Sequence, residues 1–233
     1  MKILPRTNFT GEFSIPGDKS ITHRAIMFNA VAEGEADITG ALLGEDCLST
    51  AACMRALGAT VETDGERIHI CGAEKLRDAS LDCGNSGTTM RLLMGLAAGR
   101  GVHVRLTGDA SLSSRPMERV AAPLRLLGAD IATEGGRAPV EVRPARLQGC
   151  RVETKVASAQ VKSALILAAL GAEGETVVCE PLLSRDHTER MLAAMGARIR
   201  ADGCEVHVRK SGLRAADVRV PADISSAAYF MAL

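Results

Sequence analysis

The sequence predicts an α/β fold built from three β-α-β-α-β-β units around a pseudo-threefold axis. One observation is a repeated helix end: Gly58, Gly128 and Gly196, each followed by Ala, close similar apolar segments at spacings of 70 and 68 residues. A glycine in this position is typical of a helix C-terminus. A second observation is that three further helical segments are apolar nearly all the way round, as is typical of buried helices. Three similar units therefore account for most of the chain.

Each unit is predicted to contain one buried helix, one amphipathic helix and short strands. After a helix-ending glycine the chain continues as a strand, and turns such as those at 64–65 and 202–203 lead into the next strand. The segment 188–195 has the apolar spacing of an amphipathic helix. The buried helices are predicted at about 20–32, 86–98 and 159–170, and cap-forming residues stand at their starts, namely Ser20, Asn85, Ser86 and Ser158.

Residues 16–24 (PGDKSITHR) lead directly into the first buried helix. If the three helices point the same way, their N-terminal ends favour a shared anionic ligand. Lys19 supplies a mobile charge there, and the planar guanidinium of Arg24 suits a carboxylate or a phosphate. In the alternative interpretation, Asp18 or Ser20 is an ordinary helix cap beside two solvated basic residues.

Composition excludes several classes of protein. With 233 residues and 46% hydrophobic content the chain can form a substantial core. Lys+Arg and Asp+Glu balance at 28 each and aromatic residues make up 2%, which argues against nucleic-acid binding. The apolar runs are too short to cross a membrane and the start lacks a signal-peptide pattern, so we expect a cytoplasmic protein. Seven cysteines without a C-x-x-C pair favour reduced thiols over disulfides or zinc, and no metal is predicted.

The end of the chain repeats its beginning. Residues 220–231 match residues 15–26 in Pro, Asp and Ser at a constant offset of 205. A fourth unit therefore begins here. Its first helix is predicted to be apolar and to reach position 233 without a capping residue. We expect the sequence to be a fragment of a longer, duplicated protein, or a split half.

Five motifs together resemble the 5-enolpyruvylshikimate-3-phosphate (EPSP) synthases, a family of enolpyruvyl transferases. The resemblance covers the chain from about residue 4 to its end. The motifs are residues 16–24 (PGDKSITHR), 82–91 (DCGNSGTTMR), 108–117 (GDASLSSRPM), 158–163 (SAQVKS) and 184–189 (SRDHTE).

The resemblance implies an inside-out α/β domain, one of two that face each other in that family. It implies a domain at 15–220, with residues 1–14 and 221–233 as crossover segments to a second domain. The family joins the 5-hydroxyl of shikimate 3-phosphate to C2 of phosphoenolpyruvate and expels phosphate, in the pathway to chorismate and the aromatic amino acids, without a cofactor. Its acidic proton-transfer residues lie in the other domain, so the resemblance implies little activity for this chain without a complementary C-terminal domain.

The resemblance also assigns substrate contacts. Lys19 would touch both substrates and assist proton transfer as the catalytic residue. The residues implied for shikimate 3-phosphate are Lys19, Ser20, Arg24, Ser158, Gln160 and Arg185, and those for phosphoenolpyruvate are Lys19, Asn85, Gly87, Arg115 and Gln160. A capping role for Asn85 and Ser86 stays open, and Lys162 and Arg91 are expected to make structural pairs. The small Gly87 further implies sensitivity of the completed enzyme to glyphosate.

The same motifs allow three alternative functions. One alternative is the family of UDP-N-acetylglucosamine enolpyruvyl transferases, which have the sequence Gly-x-Lys-Asn at the first motif and a cysteine in the loop that corresponds to 110–117. This chain has Ser20 in place of that asparagine and no cysteine in the loop. A P-loop requires Gly directly before the lysine, where Asp18 stands. A non-catalytic domain that binds an anion or docks onto a complementary half is the third alternative.

Overall fold

The computed structural model describes residues 11–231. The helices in this range are α1 (Lys19–Ala30), α2 (Glu45–Leu57), α3 (Gly87–Arg100), α4 (Ala110–Ser113), α5 (Glu118–Leu126), α6 (Ala159–Ala169), α7 (His187–Ala194) and α8 (Ile224–Met231). The strands are β1 (Glu35–Thr39), β2 (Thr60–Asp64), β3 (Arg67–Cys71), β4 (Ala79–Asp82), β5 (Val104–Thr107), β6 (Asp130–Glu134), β7 (Arg137–Arg143), β8 (Arg151–Glu153), β9 (Glu175–Cys179), β10 (Arg198–Asp202), β11 (Glu205–Arg209) and β12 (Val218–Arg219).

The strands form three four-stranded sheets of one common design. Their orders are β12-β1-β3-β2, β4-β5-β7-β6 and β8-β9-β11-β10. In each sheet the first two strands are parallel and the other pairs are antiparallel. The predicted α/β fold with three repeats is confirmed.

The first unit departs from the predicted strand pattern. The second and third units begin with their own parallel strand, β4 or β8, but within residues 11–231 the first unit takes that strand, β12, from the far end of the chain. Ile38 in β1 pairs with Val218 in β12. The unit is therefore closed by residues 180 positions away, a pairing that no local sequence pattern specifies.

The three apolar helices α1, α3 and α6 form the centre of the structure, as predicted. Their ends lie within two residues of the predicted ones. Helices α3 and α6 approach so closely that a Cβ at Gly95 would overlap the carbonyl oxygen of Ala164, and one at Gly99 would overlap that of Leu167. Glycine is required at these two positions because only hydrogen leaves room for the backbone of α6.

The predicted helix-ending glycines all have positive φ. Gly58 ends α2 in the left-handed conformation at φ 115°, and its amide donates to Arg55. Gly128 and Gly196 follow α5 and α7 with φ of 92° and 87°. The repeat therefore marks positions where a side chain with a Cβ would be strained.

The two ends of the described chain lie side by side. The amide of Asp18 donates to the carbonyl of Pro221 at 2.8 Å, and that of Asp223 donates to Pro16 at 2.9 Å. The predicted final helix is present as α8, and the carboxylate of Asp223 accepts from the amide of Ser225 at its start. The domain boundaries implied by the resemblance stay a prediction, and residues 1–10 and 232–233 of the crossover segments lie outside the described residues.

Between residues 11 and 231 no helix is long and apolar enough to cross a bilayer. The same part of the chain brings no three His, Cys, Asp or Glu residues together as a possible metal site. All seven cysteines are unpaired.

Replacing Gly95 with alanine tests the close packing of α3 against α6. Because the added methyl group would overlap a backbone carbonyl, we expect Gly95→Ala to lower the free energy of unfolding by about 3 kcal/mol, measured by urea denaturation. Gly212→Ala is the control, since a Cβ there meets open space. Equal stabilities of the two variants would contradict this packing.

Candidate active site

The N-terminal ends of α1, α3 and α6 meet at one end of the structure. Arg24 in α1 donates to Ser163 in α6 at 2.8 Å, and Gln160 in α6 donates to Thr88 in α3 at 3.0 Å. These side chains belong to the first or second turn of their helices, so the three helix starts are held together. The predicted convergence is therefore present.

The three helix starts are not capped alike. The carboxylate of Asp18 accepts from the amide of Ile21 at 2.8 Å and caps α1, and the hydroxyl of Ser86 accepts from the amide of Thr89 at 3.2 Å and caps α3. Ser158 stands at the cap position of α6, but its side chain makes no cap hydrogen bond. The free amides and the hydroxyl at the start of α6 therefore remain available to an anion.

Three arginines surround the start of α3. A Cβ on Gly87 would lie 2.9 Å from Nη1 of Arg91 and 3.2 Å from Nη1 of Arg115. Arg91 and Arg119 both donate to Oε1 of Gln160, at 2.9 and 3.3 Å. None of the three forms an ion pair with a carboxylate of the described residues. We call Arg91, Arg115 and Arg119 the arginine cluster.

The arginine cluster is short of negative charge and of acceptors. Burial, with the charges of Arg119 and Arg115, lowers the pKa of Arg91 to about 10, so Arg91 is still a cation at pH 7. Arg91 is only 6% exposed, and its Nε has no hydrogen-bond partner within residues 11–231. A buried donor without an acceptor is costly. An anion with several oxygen atoms would supply both the charge and the acceptor.

Asn85 holds Arg115 in this cluster. Its amide oxygen accepts from Nη2 of Arg115 at 2.6 Å, and its amide nitrogen donates to Asp109 at 2.7 Å. The Asn85 hydrogen bond lowers the pKa of the Asp109 carboxyl. Asn85 therefore does not cap α3, and Ser20 does not cap α1, because Asp18 does. The capping interpretation is therefore confirmed for Asp18 and Ser86.

Lys19 extends from the first turn of α1 at the edge of the site. Its Nζ lies 2.7 Å from Oδ2 of Asp46, and the side chain is 49% exposed. An exposed pair of this kind contributes about 1 kcal/mol or less. Lys19 can therefore leave Asp46 for an anionic ligand at little cost.

Arg24 is far more constrained. It is 4% exposed and donates to Thr188 at 2.7 Å, to Ser163 at 2.8 Å and to the carbonyl of Ser20 at 2.9 Å. Burial lowers the pKa of Arg24 to about 10, against the charge of Glu189. Three of its five N–H groups are therefore engaged with protein, and two remain for a ligand.

Arg185 lies in the loop before α7 and is exposed. It forms no ion pair with the part of the chain that the structure describes. It lies close enough to Arg24 for its charge to contribute, after burial, to the lowered pKa of Arg24. Arg185 thus adds positive charge on the α1 and α6 side of the site.

The sequence matches the family model described as EPSP synthase (3-phosphoshikimate 1-carboxyvinyltransferase) over residues 3–233. The chain belongs to the EPSP synthase family. This match favours EPSP synthase over the P-loop and UDP-N-acetylglucosamine alternatives.

Curated relatives and a solved structure support the assignment to the EPSP synthase family. The chain is 47% identical to 3-phosphoshikimate 1-carboxyvinyltransferase of Shouchella clausii, with 97% of this chain and 54% of the relative covered. It is 52% identical to the enzyme of the same name from Gloeobacter violaceus, with 98% of this chain and 55% of that relative covered. The structure of EPSP synthase from Acinetobacter baumannii superimposes with a TM-score of 0.87 at 45% identity, covering 95% of this chain and 52% of that one. The chain therefore spans about half the length of these relatives.

Within the EPSP synthase fold, the predicted site residues form two groups. Asn85, Gly87, Arg115 and Gln160 gather at the arginine cluster, and Ser20 and Arg24 meet between α1 and α6. Sequence reasoning missed Arg119 and expected only a structural pair for Arg91. The basic pattern RPMER at 115–119, four residues from one Arg to the next, could have suggested Arg119.

Lys162 makes the structural pair that the sequence predicts. Its Nζ lies 2.7 Å from Glu180 and 2.7 Å from Glu189, with all three side chains buried. Arg91, by contrast, meets the amide oxygen of Gln160 rather than a carboxylate. The expected structural pairing of Arg91 is therefore with a neutral side chain.

His23 is expected to stay neutral beside this site. Its Nδ1 lies 2.7 Å from the hydroxyl of Thr50, and burial lowers the pKa of His23 to about 4. Because the folded pKa lies below the unfolded value of 6.5, stability should be lost as the pH falls from 6.5 towards 4, by about 3 kcal/mol from this group.

Two measurements check this prediction. The C2 proton of His23 in NMR spectra should not titrate above pH 5. In urea denaturation, His23→Gln should lose less stability between pH 6.5 and 4 than the wild-type chain does. A midpoint near 6.5 for His23 would contradict it.

Proposed function

We propose that this protein provides half of an EPSP synthase active site, with most of the contacts to shikimate 3-phosphate and a position for the phosphate of phosphoenolpyruvate. The reaction transfers the enolpyruvyl group of phosphoenolpyruvate to the 5-hydroxyl of shikimate 3-phosphate, with release of phosphate, and belongs to aromatic amino acid biosynthesis. Family membership and the arginine cluster support this proposal. Both substrates carry a phosphate and a carboxylate, which suits a site rich in guanidinium groups and free helix amides.

The observation that carries the proposal is the unbalanced charge of Arg91, Arg115 and Arg119. Like charges at this separation raise the free energy of the empty site, and a phosphate between them lowers it. We assign this position to the phosphate of phosphoenolpyruvate. Gly87 leaves room for its approach, because any Cβ would crowd two of the guanidinium groups.

We assign shikimate 3-phosphate to the side formed by α1 and α6. Its phosphate would accept from the free hydroxyl of Ser158, with Arg185 adding charge, and its carboxylate would bind Ser20 and the two remaining N–H groups of Arg24. Gln160, which lies between the two groups, would contact both substrates. Its amide oxygen is already oriented by Arg91 and Arg119.

Lys19 would leave Asp46 to bind both substrates and assist proton transfer. A lysine suits this role because its compact charge sits on a flexible side chain.

Because the protein chain spans about half the length of its relatives, we propose that a complementary domain supplies the remaining proton-transfer groups. Turnover would then be low for this chain by itself, and the completed enzyme would be sensitive to glyphosate. The unpaired cysteines support a cytoplasmic location.

Calorimetric titration with shikimate 3-phosphate tests the proposed function. The chain should bind this ligand saturably, and Ser158→Ala should weaken binding about 10-fold because a hydrogen bond to a charged group is lost. Ser80→Ala is the matched control, since this exposed hydroxyl lies in β4 of the second sheet.

The outcomes separate the candidate functions. Binding without turnover, with activity restored by a complementary domain, supports the split active site, whereas no activity after such addition favours a binding domain. Absence of binding, or equal affinity of the Ser158 and Ser80 variants, would contradict the assignment.

A further inference from the structure

Glu180 is a buried carboxylate that the proposed reaction leaves without a role. It directly follows β9 and its side chain is 2% exposed. It lies behind the start of α6, on the side of the structure where Ser158 and Arg185 are assigned to the phosphate of shikimate 3-phosphate.

The carboxylate of Glu180 joins three segments. Its Oε1 accepts from the hydroxyl of Ser184 at 2.7 Å and from the backbone amide of Ser158 at 3.3 Å. Its Oε2 lies 2.9 Å from the same hydroxyl and 2.7 Å from Nζ of Lys162. One side chain thus ties the cap position of α6, the second turn of α6 and the loop that precedes α7.

Lys162 holds this carboxylate in place. Burial would lower the pKa of Lys162, but its hydrogen bonds to Glu180 and Glu189 and the negative charges of these carboxylates outweigh burial and raise the pKa. A buried charge left without its partner is strongly unfavourable, so the ammonium group fixes both carboxylates. Glu180 therefore presents a rigid acceptor to Ser158 and Ser184.

The loop at 181–185 depends on this acceptor. Within the described chain, the bonds from Ser184 to Glu180 are the hydrogen bonds that hold this stretch. Its apolar residues add no packing, since Leu182 and Leu183 are about 70% exposed. Arg185 directly follows Ser184, so the position of its guanidinium group depends on the Ser184 anchor.

We propose that Glu180 is a positioning residue for the phosphate of shikimate 3-phosphate. It sets Ser158 and Arg185 at a fixed separation through the Ser158 amide and the Ser184 hydroxyl, without touching the substrate. This inference rests on the proposed function, because that function places the phosphate between Ser158 and Arg185. A preset separation avoids the entropy cost of ordering the loop on binding.

Ser184→Ala removes the hydrogen bonds that join Glu180 to the loop at 181–185, with little risk to folding because Ser184 is only partly buried. We expect the dissociation constant for shikimate 3-phosphate to rise about 10-fold, with an unchanged midpoint of urea denaturation. Ser184→Thr keeps the hydroxyl and should restore binding. Ser80→Ala is again the control. The NMR order parameters of the backbone amides at 182–185 should fall in Ser184→Ala, a change that a role confined to the stability of the core would not produce.

Glu180→Met, which removes both acceptor oxygens, provides the second arm as a double-mutant cycle. Because both residues act through one link, Ser184→Ala should weaken binding further by less than 2-fold in the Glu180→Met background. If Glu180→Met does not fold, the Ser184 variants and the order parameters decide. Wild-type affinity in Ser184→Ala, or additive losses in the cycle, would overturn the role of Glu180. Failure of the wild-type chain to bind shikimate 3-phosphate would instead overturn the proposed function.

Discussion

The contact between α3 and α6 fixes the rest of the site. Gly95 and Gly99 let the backbone of α3 touch the carbonyl oxygens of α6, so the two helices cannot slide without creating overlap or a cavity. This places the first turns of both helices side by side. Arg91 and Gln160 meet there because of that packing, although they are 69 residues apart in the sequence.

The arginine cluster is distinguished by three guanidinium groups that lie close together, one of them buried. Elsewhere six arginines of the described residues have a carboxylate partner, as Arg67 has in Asp37 at 2.6 Å. Buried Lys162 has two carboxylates. The arginine cluster has none among the described residues, although Arg91 is buried and an unpaired buried charge is expensive. Stability alone does not account for this arrangement, whereas an anionic ligand does.

Local pattern was sufficient to predict the repeated units and the buried helices, because helix ends and apolar periodicity are encoded within a few residues. It did not predict β12 as the first strand of the first sheet, since Val218 pairs with Ile38 from far along the chain. It also could not decide which helix starts carry a side-chain cap. That depends on side-chain orientation, as Ser86 and Ser158 illustrate.

A crystal structure of the chain with shikimate 3-phosphate and phosphoenolpyruvate most directly tests whether helix packing builds a phosphate site. We expect the phosphoenolpyruvate phosphate within hydrogen-bond distance of Arg91 and Arg115, with Nε of Arg91 facing an oxygen atom. The phosphate of shikimate 3-phosphate should lie at the hydroxyl of Ser158. Ligand density away from the starts of α3 and α6, with the arginine cluster still empty, would contradict a phosphate site at these helix starts.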